Sequence, residues 1–421
     1  MAVLQIKQEQ LALRLAGMTM PAGLAAARAA ALARLQAMGL PGRRDEYWRY
    51  TDPACLVAPV ATVAADFAVD ETPLFDGIDR VRLVFVDGVF DPAASDDPGM
   101  AGIEISMLAD GQAWAEDLYG KLEADAQVPV ARPLAAMNTA YAPEGVMIRV
   151  TGQAARPVAL VYARKSARSD AILHHVIKLE AGASLTVLEN GPAAARLNSV
   201  MEVDVGAGAV FHHIRAQGRD AGLRAVTHVF ARLAARAEFK SFTVTADGTL
   251  TRNEVVLDIQ GDDAKAHVAG AALGDAAFHH DDTVFITHGA LRGESRQVFK
   301  KVLQNGAVGV FQGKILVKAG AQKTDGYQIS QALLLDEDSQ FLAKPELEIY
   351  ADDVKCGHGS TTGAIDETAL FYLRSRGVPQ AQAQALLVLA FLAEAIAEIA
   401  DPAIAEDIRG RLEGWLGRQV D

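Results

Sequence analysis

The chain has 421 residues, with 40 Lys and Arg against 53 Asp and Glu, for a formal charge of −13. That length can bury a large core and usually exceeds one compact domain. The acidic balance repels phosphate backbones and argues against a nucleic-acid partner. Cys55 and Cys356 are too few for a disulfide framework. The opening MAVLQIKQEQ has no apolar stretch of the kind a secretory leader carries. These features predict a soluble protein of a reducing cytoplasm.

Residues 1–50 read as helical. From Pro21 to Met38, Leu24, Ala31, Leu32 and Leu35 recur at helical spacing, and Gly39, Pro41 and Gly42 end the pattern. Residues 51–145 are mixed. RVRLVFVDGVFDP predicts a hairpin turning at Asp87-Gly88, and short helices are expected within 106–120 and 131–141.

From about 146 to 355, short runs of Val, Ile, Leu, Thr and Phe recur between Gly, Asp and Ala. EAGASLTVLEN (180–190) and DVGAGAVFHHI (204–214) are alike, with Gly182 and Gly206 as matching glycines. A long quasi-repeat of short strands without helical period suggests stacked coils. A sandwich or barrel is the competing reading. The C-terminal part is helical again. Asp366 can cap a helix ending at Gly377, residues 380–400 are amphipathic, and Asp401-Pro402 opens a last helix with Ile404, Ile408, Leu412 and Leu416 on one face. The apolar run near 385–400 carries Glu394 and Glu398 and is too short to span a membrane.

Chemistry-bearing motifs are sparse. GVFQGKI (309–315) has neither the glycine spacing nor the Ser or Thr of a phosphate-binding loop, and GAGAVF (206–211) lacks a third dinucleotide-binding glycine. Three histidine doublets occur, at 174–175, 212–213 and 279–280. On a strand, neighbours point to opposite faces, so a doublet cannot easily share one metal. In His279-His280-Asp281-Asp282 a His and an Asp could meet at i and i+2. KPELEIYADDVKCGHGSTTG (344–363) is the most informative stretch. A strand-like run through Leu347 and Ile349 leads to Cys356 and His358, which share a face if the chain stays extended. Thiolate and imidazole both suit iron or an iron–sulfur cluster, but two ligands need completing from another chain.

This stretch, with AQKTDGYQ (321–328) and RRDEYWRYTDP (43–53), resembles SufD-type members of the SufB/SufD family, scaffold subunits of the SUF iron–sulfur cluster assembly machinery. Gly357 and Ser360 depart from the family's more usual Ser and Ala, and neither change removes a ligand. The resemblance implies a mainly β protein. A right-handed parallel β-helix core (146–358) would be flanked by an N-terminal helical and mixed region (1–145) and a C-terminal helical region (359–421). It implies a non-catalytic scaffold that pairs with SufB, with a homodimer as the option when SufB is absent, and recruits the ATPase SufC. Cys356 and His358 would lie at the cluster-assembly interface, with His358 as a metal ligand shared with the partner. Leu347 and Ile349 would form the SufB-pairing edge, and Phe371, Tyr372 and Arg374 the SufC-binding helix. No cofactor is expected on the isolated chain. A transient cluster is expected at the SufB interface, and reduced flavin is an option for the complex. Two other classes stay open: a β-helix carbohydrate-active enzyme, for which His279–Asp282 is the only candidate cluster, and a flavin-linked reductase subunit. Glu46, Trp48, Arg49 and Tyr50 read as packing residues.

Overall fold

The computed structural model describes residues 2–65, 73–218 and 220–418. Helices Ala2–Leu15 and Ala25–Met38 open the chain. The middle is a parallel β-solenoid in which odd and even coil strands build two separate sheets, of ten and nine strands among the described residues. Helices Glu367–Ser375, Gln380–Ile396 and Pro402–Arg418 close it. No helix among the described residues is long and apolar enough to cross a membrane.

Coil formation follows from alternation. On the strand His279–His288, Val284 and Ile286 point into the solenoid, beside Val255 and Leu257 of the coil below and Phe299 and Phe311 of flanking strands. The opposite face carries Phe285, which meets the Tyr47 ring at 5.1 Å. Both faces are thus buried, the outer one under the terminal regions, and this erases the polar–apolar alternation of a one-sided sheet.

The period is set at a corner. Gly182, Gly208, Arg236, Asp263, Arg292 and Lys323 all have positive φ. Each donates its N–H to a carbonyl one coil further on, from Gly182 N–H to Ala207 O at 2.9 Å through Lys323 N–H to Asp353 O at 2.5 Å. Ser184 pairs with Val210, so the glycine equivalent to Gly182 is Gly208 rather than Gly206. The later coils place charged residues at this corner, where a left-handed conformation costs about 1–2 kcal/mol per residue. Arg292 is tied there to Asp263 at 2.6 Å.

At its N-terminal end the solenoid is finished by the mixed region. Val81–Val86 adds parallel to Val158–Ala163 and turns through Asp87-Gly88 into Val89–Phe90. Glu104–Met107 adds antiparallel to Val146–Val150. Short helices stand at Ala113–Glu116 and Pro133–Tyr141. At the other end the last strands are Gln340–Ile349 in one sheet and Lys355–Gly363 in the other, the latter running past residue 358. Asp366 Oδ1 caps its helix by accepting from Thr368 and Ala369 N–H at 2.8 and 3.1 Å. Asp401 Oδ1 does the same for Ala403 and Ile404. Val388, Leu392, Ile404, Ile408, Leu412 and Leu416 bury one face of the last two helices against the outside of the ten-stranded sheet.

Candidate functional site

Parallel register decides which way the C-terminal residues point. Gly326 pairs with Cys356, Gln328 with His358 and Ser330 with Ser360, and this column continues down to core-facing Phe299. Cys356 and His358 therefore sit on the inward face of the last strand of the ten-stranded sheet. Across the lumen, Ile315 pairs with Leu347 and Val317 with Ile349, so these two occupy the inward face of the last strand of the nine-stranded sheet. All four residues read from sequence converge on one opening, the C-terminal mouth of the solenoid. Leu347 and Cys356 pack on the same small cluster of Ile315, Val317, Ala321 and Ala351.

The mouth is uncovered. Neither terminal strand has a neighbour on its outer edge among the described residues. Ile349 is 39 % and Tyr350 62 % exposed, while His358 is open to solvent. An unpaired edge of this kind is a template for strand addition. Cys356 is half-buried, and burial pushes its thiol up, an effect that Asp325 reinforces and the Gly326 backbone opposes. The sulfur is therefore held as a thiol until a metal or a new neighbour favours the thiolate. Gly326 makes the room: a Cβ there would stand 3.3 Å from Cys356 Sγ. Among the described residues no group of three or more His, Cys, Asp and Glu is arranged to hold a metal ion. The Cys356 and His358 side chains are two donors on one face.

The N-terminal motif braces this mouth from outside. Tyr47 Oη donates to Glu346 Oε2 at 2.6 Å, and Lys344 Nζ lies 2.6 Å from Glu46 Oε1 and 4.0 Å over the Tyr47 ring. Burial and the Glu346 carboxylate raise the Tyr47 hydroxyl pKa. The Tyr47 carbonyl accepts from Arg252 at 2.8 Å and Gln312 at 3.1 Å, and the Arg252 guanidinium covers the Trp48 ring at 4.2 Å. Of the residues read as packing, Trp48 is buried, Tyr50 is half-buried, and Glu46 and Arg49 are exposed, while Tyr47, the central contact, was not among them. Their position on the outer face of the terminal strand was not legible, because the contacts span some 300 positions.

The histidine doublets split across their strands. His279 and Asp281 face outward and are bound by Thr51 Oγ1 at 3.0 and 2.6 Å, with Arg252 also on Asp281. His280 and Asp282 face inward, 3.0 Å apart, with Lys301 Nζ at 2.5 Å from Asp282. Burial would raise the Asp282 carboxyl, but His280 and Lys301 outweigh it and hold the carboxyl well below its usual range. The cluster proposed for carbohydrate chemistry is thus committed to internal pairs, with His280, Asp281 and Asp282 buried and His279 half-buried. Deeper in the lumen, Glu189 accepts from Tyr162 at 2.9 Å, His213 at 2.7 Å and Arg215 at 2.8 Å. This buried polar stripe went unseen in the sequence, where its members look like isolated strand residues.

Phe371 and Tyr372 are 73 % and 56 % exposed on the helix Glu367–Ser375, and Arg374 is exposed beside them. Leu370 is the buried residue of that helix. Cys55 is half-buried, and burial raises its thiol pKa.

The sequence profile described as SUF system FeS cluster assembly, SufBD core domain, matches residues 162–391, more than half of the chain. The chain belongs to the SufBD family. A SufBD relative, the iron–sulfur cluster assembly protein SufD of Escherichia coli K12, is 29 % identical over 391 residues, covering 90 % of each chain. A SufBD-family protein of Synechocystis is 26 % identical over 403 residues, covering 87 % of this chain and 85 % of its own. The SufD of Bacillus subtilis is 28 % identical over 289 residues, covering 66 % of this chain and 63 % of its own. The SufBD core match spans the coil strands from Asp170 onward, the mouth with Cys356 and His358, and the helix carrying Phe371.

Proposed function

We propose that this SufBD-family chain is a non-catalytic scaffold subunit for iron–sulfur cluster assembly in the cytoplasm. It pairs through its C-terminal mouth with a SufB-type paralogue and carries a SufC-type ATPase on its C-terminal helices. The observation that carries the reading is the convergence of Cys356, His358, Leu347 and Ile349 on the end of the solenoid where both sheets stop at long parallel coil strands with no outer neighbour among the described residues. A partner presenting a like edge would extend both sheets and place its own ligands against Cys356 and His358. The cluster is cargo at that boundary. The chain contributes two of the roughly four donors a cluster needs, and the partner contributes the rest. Such an interface would bury more than roughly 1,000 Å².

Phe371, Tyr372 and Arg374 suit the ATPase contact, since exposed aromatics and Arg dominate interface energies. The last two helices are bound into the core against the ten-stranded sheet. Truncation would strip that sheet, so the point substitution Phe371→Asp is the cleaner test. It should abolish capture of the ATPase and leave the SufB pairing intact.

The test of the whole reading is co-expression with SufB and SufC, followed by affinity capture and assay of iron and acid-labile sulfide. The account predicts a three-component complex that loads iron and sulfide, and a colourless isolated chain. Its His358→Ala form should assemble but fail to load. Normal cluster formation by His358→Ala in cells dependent on this system would remove His358 from the mechanism. The visible spectrum of the same complex reports whether flavin is present.

A further inference from the structure

Beneath His358 the lumen holds an arrangement that folding alone does not explain. Gln328 is its register neighbour on the inward face, and Gln297 is the next residue down the same column. Both side chains are fully buried. The amide nitrogen and oxygen of both have no hydrogen-bond partner among the described residues. Elsewhere in the lumen, Glu189, His213, Arg215, Thr227, Asn253 and Asp282 all have bonded partners. Leaving a buried amide unpaired costs about 1–3 kcal/mol per group. The fold nevertheless makes space for it: Gly313 lies across the lumen, and a Cβ there would collide with the Gln328 amide. A Leu or Met at 328 would be the simpler way to fill a core position.

We propose that Gln328 is a positioning residue for His358, holding the imidazole through one ring N–H so that the other nitrogen is presented at the mouth. This rests on the reading of His358 as a ligand at the cluster-assembly boundary. Adjacent parallel strands run about 4.8 Å apart and same-face side chains stack along the column. In the isolated chain the Gln328 oxygen faces Gly313 and makes no bond to the ring, so holding the imidazole requires the amide to turn up the column. A metal-binding imidazole is ordinarily oriented by such an acceptor on its other nitrogen, and loss of the acceptor typically costs 10–100-fold in affinity or activity. Gln297 continues the column one coil deeper, with its own amide likewise unbonded.

The test uses the full-length chain with Gln328→Met, which keeps the length and removes the amide, and Gln328→Glu, which keeps an acceptor oxygen. The ¹⁵N shifts of the His358 ring, assigned by comparison with His358→Gln, report the tautomer. Expected for Gln328→Met are a melting temperature equal to or above the parent, a mixed His358 tautomer, and cluster formation in dependent cells reduced about tenfold or more. Gln328→Glu should keep the single tautomer of the parent. The proposal is overturned if Gln328→Met leaves tautomer and cluster formation unchanged. It is also overturned if Gln328→Met loses stability in step with function, since that is the signature of a structural residue. A His358→Ala control separates the two claims. If His358→Ala fails to form clusters while Gln328→Met succeeds, only the positioning role is lost. If His358→Ala succeeds, the reading beneath it falls as well.

Discussion

At the N-terminal end of the solenoid, both sheets are finished by the chain itself. Val81–Val86 with its hairpin strand completes one, and antiparallel Glu104–Met107 completes the other. The rings and side chains there, such as Phe85, Val81 and Ile148, are fully buried. At the C-terminal end, both sheets stop at long parallel coil strands, Gln340–Ile349 and Lys355–Gly363, with no short antiparallel strand added, and the inward residues Leu347, Ile349, Cys356 and His358 are half-buried or exposed. The chain thus has the means to cap a stack of coils and applies it at one end. Exposed apolar residues on an unpaired edge are an aggregation hazard that soluble proteins normally cover. Their retention together with a thiol and an imidazole supports the proposal that this end is completed by another molecule.

Substitutions at the two ends should separate stability from pairing. Phe85→Ala at the closed end removes a fully buried ring that meets Phe90 at 5.6 Å and Tyr162 at 6.1 Å. Urea denaturation should show a loss of about 3–5 kcal/mol. Leu347→Asp at the open end should cost less than about 1.5 kcal/mol in the isolated chain, because the site keeps access to water. It should weaken pairing with the partner by about 100-fold or more in a titration, because the interface would bury an unpaired charge. Equal effects on stability at the two ends would break the comparison.

Acidification should act on the buried coils. Burial lowers His175, His228 and His288 from 6.5 to about 4. Between pH 6.5 and 4 the unfolded chain therefore binds protons that the folded chain refuses, so stability rises with pH and is lost as pH falls through that window. Glu189 adds to the loss lower down. Burial opposes its ionisation, but Arg215 and His213 outweigh that and hold it well below its usual range, so its contribution fades as pH drops from about 4.5 towards its folded value. Urea midpoints measured at pH 7, 6 and 5 should decline, with a shallower decline for His175→Gln. A flat profile would contradict the neutral, buried state of these rings. The smallest effect is expected for Tyr47→Phe. It removes one hydrogen bond to Glu346, worth about 0.5–1.5 kcal/mol, and should raise hydrogen exchange in 340–349 without changing that in 81–90.

The coil architecture and the mouth residues were legible in the sequence, but the period was not. Only the first two corners, Gly182 and Gly208, carry glycine. From Arg236 onward the same left-handed corner is filled by Arg, Asp and Lys, so a search for recurring glycines loses the repeat after two coils and mismatches Gly206. The helix caps at Asp366 and Asp401 were readable because capping is local. Gln328 lay inside AQKTDGYQ, yet nothing local separates an inward glutamine from an outward one. That distinction needs the strand register, which is set by partners about 30 residues away. Far larger separations, 299 and 230 positions, hide the Tyr47–Glu346 and Thr51–Asp281 bonds.

The central claim is that the open end is the partner face, and hydrogen exchange on adding a SufB-type partner tests it most directly. The account predicts strong new protection in both 340–349 and 355–363, with exchange in 81–90 and 104–107 unchanged. Unchanged exchange across 340–363, or protection confined to the closed end, would contradict it.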